Sequence, residues 1–99
     1  MSTQDMTQVI ADYFKTQPVK KAWLFGSFAR GEEKPESDVD LLVRFDHSKP
    51  IGLFQYARMH REMEELLGRK VDLVEEGTLR PAASATANKD KKVVYERAN

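Results

Sequence analysis

Ser37-Asp38-Val39-Asp40-Leu41-Leu42-Val43-Arg44-Phe45 is the stretch whose reading decides the fold of this chain. Val39, Leu41, Leu42, Val43 and Phe45 make its strongest strand signal, and the unbroken Leu41-Leu42-Val43 run predicts a strand covered on both faces. His47-Ser48-Lys49-Pro50 ends it. Side chains alternate along a strand, so Asp38 and Asp40 face the same way, with α-carbons roughly 6.5 Å apart. Two carboxylates at that separation repel by about 2–3 kcal/mol at an effective dielectric near 20. A divalent cation offsets such repulsion, and carboxylate oxygens suit Mg²⁺ or Mn²⁺. Asp-x-Asp is also a common way to begin a strand facing water, so its meaning rests on what surrounds it.

Working outward, Met6, Val9, Ile10, Tyr13 and Phe14 form one apolar helical stripe. With Ser2 or Thr3 as cap and Pro18 beyond the end, this predicts a helix over roughly residues 3–16. Ala22-Trp23-Leu24-Phe25 reads as a short strand stopped by Gly26, with Trp23 and Phe25 in the core. Ser27 to Arg30 reads as one helical turn ended by Gly31, and the polar segment 31–37 as an exposed loop. Leu53, Tyr56, Ala57, His60, Met63 and Leu67 give a second helical stripe, which assigns His60 to packing. Gly68 stands where a cap glycine belongs. On that helix's outer face Arg61 and Glu65 are spaced to pair. Val71, Leu73 and Val74 predict a third strand. From about residue 77 to 99 the pattern weakens: Leu79 to Ala87 reads as a short helix, and Val93-Val94-Tyr95 as a last strand or a helix end. The expected class is α/β (α+β), a small sheet of three to four strands with helices packed on it.

Ninety-nine residues predict a single domain, residues 1–99, with one core. Sixteen basic and sixteen acidic residues balance, which argues against a nucleic-acid binder reliant on backbone phosphates. The absence of cysteine excludes disulfides and thiolate metal sites and fits a reducing cytoplasm. No signal peptide and no apolar run of ~20 residues is present, so no membrane is expected.

Gly26-Ser27 directly follows a strand, as a phosphate-binding turn should. Glycine permits close backbone approach, and the serine hydroxyl and the following N–H groups can donate to phosphate oxygens. Gly26-Ser27-Phe28-Ala29-Arg30-Gly31, followed by Ser37-Asp38-Val39-Asp40-Leu41-Leu42-Val43, resembles the Gly-Ser-x10-Asp-x-Asp signature of the DNA polymerase beta-like nucleotidyltransferase superfamily. More narrowly, the chain resembles the minimal nucleotidyltransferases of bacteria and archaea. The stretch Leu66-Leu67-Gly68-Arg69-Lys70-Val71-Asp72-Leu73-Val74 is also characteristic of them. The match spans about residues 20–80, and the segment Ala82 to Asn88 is less typical.

The resemblance implies a mixed, palm-like sheet on which Gly26 and Ser27 hold triphosphate oxygens. It implies Asp38 and Asp40 as ligands of one or two Mg²⁺ ions, Mn²⁺ being the other candidate. Asp72 would be the third catalytic and metal-binding carboxylate, completing the second metal position or drawing the proton from the attacking hydroxyl. Read from residues alone, Asp72 could equally lie at an exposed strand end or pair with Arg69 or Lys70. Arg30 is a candidate phosphate contact, and Lys34 a weaker one, against solvated readings of each. The implied activity is transfer of a nucleotide, AMP from ATP, to a hydroxyl of a partner protein. The implied setting is the antitoxin of a pair with an all-helical HEPN partner, as a homodimer or hetero-oligomer. The alternative is a nucleotide-binding module that neutralises its partner by contact alone. Transfer to a small molecule usually needs a further acceptor domain.

Overall fold

The computed structural model describes residues 2–77 and 89–98. The order is α1 (Thr3–Phe14), β1 (Val19–Phe25), α2 (Ser27–Arg30), β2 (Val39–Phe45), α3 (Leu53–Leu67), β3 (Val71–Glu75) and β4 (Lys92–Glu96). The expected α+β class holds, and the tail segment 93–95 is a strand. The alanine-rich stretch read as a short helix lies outside the described residues. No helix among the described residues is long and apolar enough to cross a membrane.

Helix α1 opens on Ser2, whose Oγ accepts from the Asp5 N–H at 3.1 Å, a cap that contributes about 1 kcal/mol. It buries Met6, Ile10 and Phe14, one row at four-residue spacing. Helix α3 buries a like row, Met59, Met63 and Leu67, and ends at Gly68 in the left-handed region. Its first turn departs from the expected stripe. Leu53 is 80% exposed, and Ala57 one turn on is exposed too, because periodicity marks a face of a helix without marking where the neighbouring surface stops.

The four strands form a mixed sheet ordered β3-β2-β1-β4. β1 runs antiparallel to both β2 and β4, while β2 and β3 are parallel and joined through α3. The register puts Asp40 opposite Phe25 on one side and Asp72 on the other. Three chain segments thus meet at one end of the sheet's centre.

The helices cover one face of the sheet, with Leu24, Val39, Leu41, Val43 and Leu73 in the shared core. Alternation sends Trp23 and Leu42 to the other face. Both are buried, Trp23 as expected though outside the helix-side cluster, whereas Phe25, expected in the core, is only half-buried. Lys21, Arg44 and Lys91 place their charges 5.3, 5.2 and 4.6 Å from the Trp23 ring centroid. Long cationic side chains here do what a second helix layer does elsewhere: their stems shield the indole. With Leu42 buried on this face and Leu41 and Val43 on the other, the centre of β2 is covered on both faces as its sequence predicts.

At the end of β2, Asp46 Oδ1 accepts from the Ser48 N–H at 3.0 Å and the Ser48 hydroxyl at 2.6 Å. Its Oδ2 accepts from Arg97 at 2.7 Å, tying β4's end to β2's end. The Ser48 and Arg97 hydrogen bonds hold the Asp46 carboxyl well below the usual carboxylate range. A lowered folded-state value means stability present above the unfolded value of about 3.9 and lost as pH falls below it. Asp46→Asn should therefore lower the urea midpoint at pH 7, with a deficit that shrinks by pH 2, where wild type has lost part of the same contribution. Equal deficits at both pH values would show that charge is not what Asp46 supplies.

Edge strand β3 is fastened by side chains of α3. The Tyr56 hydroxyl donates to the Leu73 carbonyl, and His60 Nε2 lies 2.6 Å from the Val71 carbonyl. The Val71 N–H donates to Glu64 Oε2 at 2.9 Å. His60, expected only to pack, is thus a polar link between helix and sheet. Arg61 and Glu65 pair at 3.9 Å as their spacing predicts.

Candidate active site

Gly26 leaves β1 with φ 73° and ψ −150°, a region that only glycine occupies readily. The reason is spatial as well as conformational. A Cβ at Gly26 would stand 2.2 Å from Asp40 Oδ2 and 3.1 Å from its Cγ. The turn backbone and the Asp40 carboxylate are therefore in direct apposition. Ser27 then opens α2, whose single turn closes with Arg30 N–H donating to the Gly26 carbonyl at 3.2 Å. No described residue hydrogen-bonds the Ser27 hydroxyl, and Ser27 itself is half-buried.

The structure brings the sequence's three aspartates to this turn. Strand β2 begins at Val39, so Asp38 is the last residue of the preceding loop and Asp40 the second of the strand. Burial raises the Asp40 pKa, and the charges of Asp72 and then Asp38 raise it further, partly offset by Arg30. Asp72 is exposed, on the face away from the helices, and among the described residues it forms no ion pair with Arg69 or Lys70. This removes the reading of Asp72 as half of a local salt bridge. Its field also reaches Tyr56, whose hydroxyl pKa is raised by burial, by Asp72 and by Glu75.

Arg30 is close enough for Asp40 to feel its charge, but it is not a free cation. Its Nε donates to Glu32 at 2.7 Å and its Nη1 to Asp90 at 3.1 Å, leaving Nη2 without a carboxylate among the described residues. Asp90, sixty residues away in sequence, is a neighbour of the site that no local pattern could have revealed. Lys34 is exposed in the loop; its backbone N–H donates to Ser37 Oγ at 2.8 Å, and the Ser37 N–H returns a bond to the Lys34 carbonyl at 2.9 Å. Arg69 was also missed as a site neighbour: it donates to the Ser37 carbonyl at 3.0 Å, against the very peptide that leads into Asp38. His47 is exposed at the far end of the sheet, 2.7 Å from Glu75, and takes no part.

Among the described residues no three acidic or histidine side chains stand as a ready-made metal cage. The donor set nevertheless fits a hard divalent cation. It consists of carboxylate oxygens whose mutual repulsion already disfavours the ionised form of Asp40, beside a backbone stripped of its Cβ. What the arrangement can do is hold positive charge between carboxylates and a turn able to donate to phosphate oxygens.

Residues 8–96 match the family described as nucleotidyltransferase domain. Over 77 residues the chain is 38% identical to protein adenylyltransferase MntA of Thermococcus cleftensis, covering 78% of this chain and 74% of that protein. A solved structure assigned as a minimal nucleotidyltransferase is similar with a TM-score of 0.76 and 29% identity, covering 93% of this chain and 95% of that one. The structure of a tri-AMPylated HEPN toxin of Shewanella oneidensis in complex with an MNT antitoxin holds a chain with the same fold. Its TM-score is 0.70 at 15% identity, over 97% of this chain and 74% of that one.

Proposed function

This chain belongs to the nucleotidyltransferase domain family, and we propose that it transfers AMP from ATP to a hydroxyl on a partner protein. The carrying observation is the apposition at Asp40, with the Gly26 backbone against its carboxylate and Asp72 in register beside it. That apposition supports reading the turn as phosphate-binding and the carboxylates beside it as the cation-holding half of one site.

In this reading Ser27 and the turn amides hold the outer phosphates, and the Arg30 fork, oriented by Glu32 and Asp90, offers Nη2 to a phosphate oxygen. A divalent cation, Mg²⁺ or Mn²⁺, would be held by Asp38, Asp40 and Asp72 and would neutralise the charge of the triphosphate. The acceptor oxygen attacks the α-phosphorus, forming an O–P bond as the bond to the β-phosphate oxygen breaks and pyrophosphate leaves. Asp72, exposed and at the rim, would take the hydroxyl proton as that bond forms.

The acceptor is expected on a second protein. The relative from Thermococcus is a protein adenylyltransferase by name, and the Shewanella complex pairs an AMPylated HEPN toxin with an antitoxin of this fold. Both support reading this chain as the antitoxin of such a pair, acting on a HEPN-type partner.

The test uses ATP labelled at either the α- or the γ-phosphate, MgCl₂, the purified chain and the product of the adjacent reading frame. Label should pass to that product from the α-position and not from the γ-position. Absence of α-label, with the partner still bound and neutralised, would establish the contact mechanism instead.

A further inference from the structure

We propose that Arg69 is a positioning residue that fixes the Asp38 loop against the Gly26-Ser27 turn. The proposal rests on the nucleotidyl-transfer reading above. Arg69 lies in the turn between α3 and β3, three residues before Asp72. Its Nη1 donates to the Ser37 carbonyl at 3.0 Å, and its guanidinium lies 5.1 Å from the centroid of the Phe28 ring. Ser37 immediately precedes Asp38, and Phe28 immediately follows Ser27. One side chain therefore touches the neighbour of each half of the site.

The next residue completes the clamp. The Val39 N–H donates to the Lys70 carbonyl at 2.9 Å, so the residues on both sides of Asp38 are held by consecutive residues of one turn. This matters because Asp38 lies outside the strand and has no ladder bonds of its own to fix it. The loop before it, residues 31–36, is exposed and polar. Its first half is tied to the helices, Glu32 to Arg30 and the Ser27 carbonyl and Glu33 to the Thr3 hydroxyl, whereas its closing turn, Lys34 to Ser37, is bonded within itself and, beyond it, to Arg69. Arginine suits the task because one planar group can donate from its edge while stacking on a ring by its face. Among the described residues Arg69 forms no ion pair, so its charge is not consumed by Asp38 or Asp72.

The experiment uses the full chain and two readouts. Calorimetry measures binding of an α,β-methylene analogue of ATP in MgCl₂ and, separately, in EDTA; amide exchange is followed across residues 27–39. Arg69→Ala should bind about tenfold more weakly in MgCl₂, as removal of a group that orients a ligand usually does, and equally well in EDTA. Exchange at residues 31–39 should quicken while β1 and β2 stay protected. Arg69→Lys, which keeps a donor without the flat stack, should fall between, and it carries the comparison if Arg69→Ala loses its fold. Unchanged exchange overturns the proposal. So does a loss of equal size in MgCl₂ and EDTA, which would make Arg69 a direct phosphate contact. If wild-type protein binds no nucleotide in either buffer, the transfer reading falls, while loop exchange still decides whether Arg69 fixes the loop.

Discussion

Asp40→Asn abolishes label transfer, by about a thousandfold or more, while leaving the fold as stable as before or more so. The two halves of this expectation have one cause. Asp40 sits between Asp72 and Asp38, partly desolvated, and its raised pKa means that the ionised carboxylate is disfavoured in the folded chain. For such a group the destabilisation is present where it is ionised in the fold and vanishes at low pH, where it is protonated in both states. Asparagine keeps the shape and removes the charge, so the repulsion goes and the capacity to hold a cation goes with it. In buffer without divalent cations the melting midpoint of Asp40→Asn should equal or exceed that of wild type. Added MgCl₂ should raise the wild-type midpoint and leave the variant's unchanged. A variant that still transfers label, or that fails only because it melts below the assay temperature, sinks this account of Asp40.

Gly26→Ala is the second large effect, and it strikes stability and activity together. The backbone at φ 73°, ψ −150° costs a residue with a Cβ about 1–3 kcal/mol. The new methyl would also meet Asp40 Oδ2 at 2.2 Å, with Phe25 and Asp72 flanking Asp40 in the sheet and limiting its retreat. A total loss of roughly 3 kcal/mol in unfolding free energy is expected, with transfer reduced more than a hundredfold by misplacement of the carboxylate. Gly31→Ala is the matched control. Its φ is 71° and ψ 25°, but a Cβ there meets nothing within 4 Å. That substitution should cost only about 1 kcal/mol and spare transfer. Chemical denaturation of the two variants, alongside the labelling assay, separates backbone strain from collision with Asp40. Similar losses of transfer in both would remove the collision from the explanation.

What could be read from the sequence and what could not divide along a physical line. The β2 strand, the two amphipathic helices and the Gly26 turn were legible because each is announced by neighbours in sequence, through periodicity or a glycine. The closing strand was ambiguous because Val93-Val94-Tyr95 is too short to separate strand from helix end, and only pairing with β1 decides it. Trp23 was legible as buried, but not by what, because an apolar residue says nothing of what covers it. Here the cover is cationic, drawn from β1, from β2 and from Lys91 just before β4. In the site, the proximity of Asp38, Asp40, Asp72 and Gly26 could be expected from the signature as a whole. The partners of Arg30 and Arg69 could not: Asp90 and Ser37 lie sixty and thirty-two residues away, and long-range hydrogen bonds leave no local trace.

The three α3 side chains on β3 have a meaning beyond tying helix to sheet. β3 is an outermost strand, and its residues facing away from β2 carry amides and carbonyls that another chain could pair with. Tyr56, His60 and Glu64 occupy the Leu73 carbonyl, the Val71 carbonyl and the Val71 N–H in turn. A helix thereby stands in for the missing neighbour strand and shields this border from intermolecular sheet extension. The strand that carries Asp72 can remain at the rim, open to solvent, without becoming a template for aggregation.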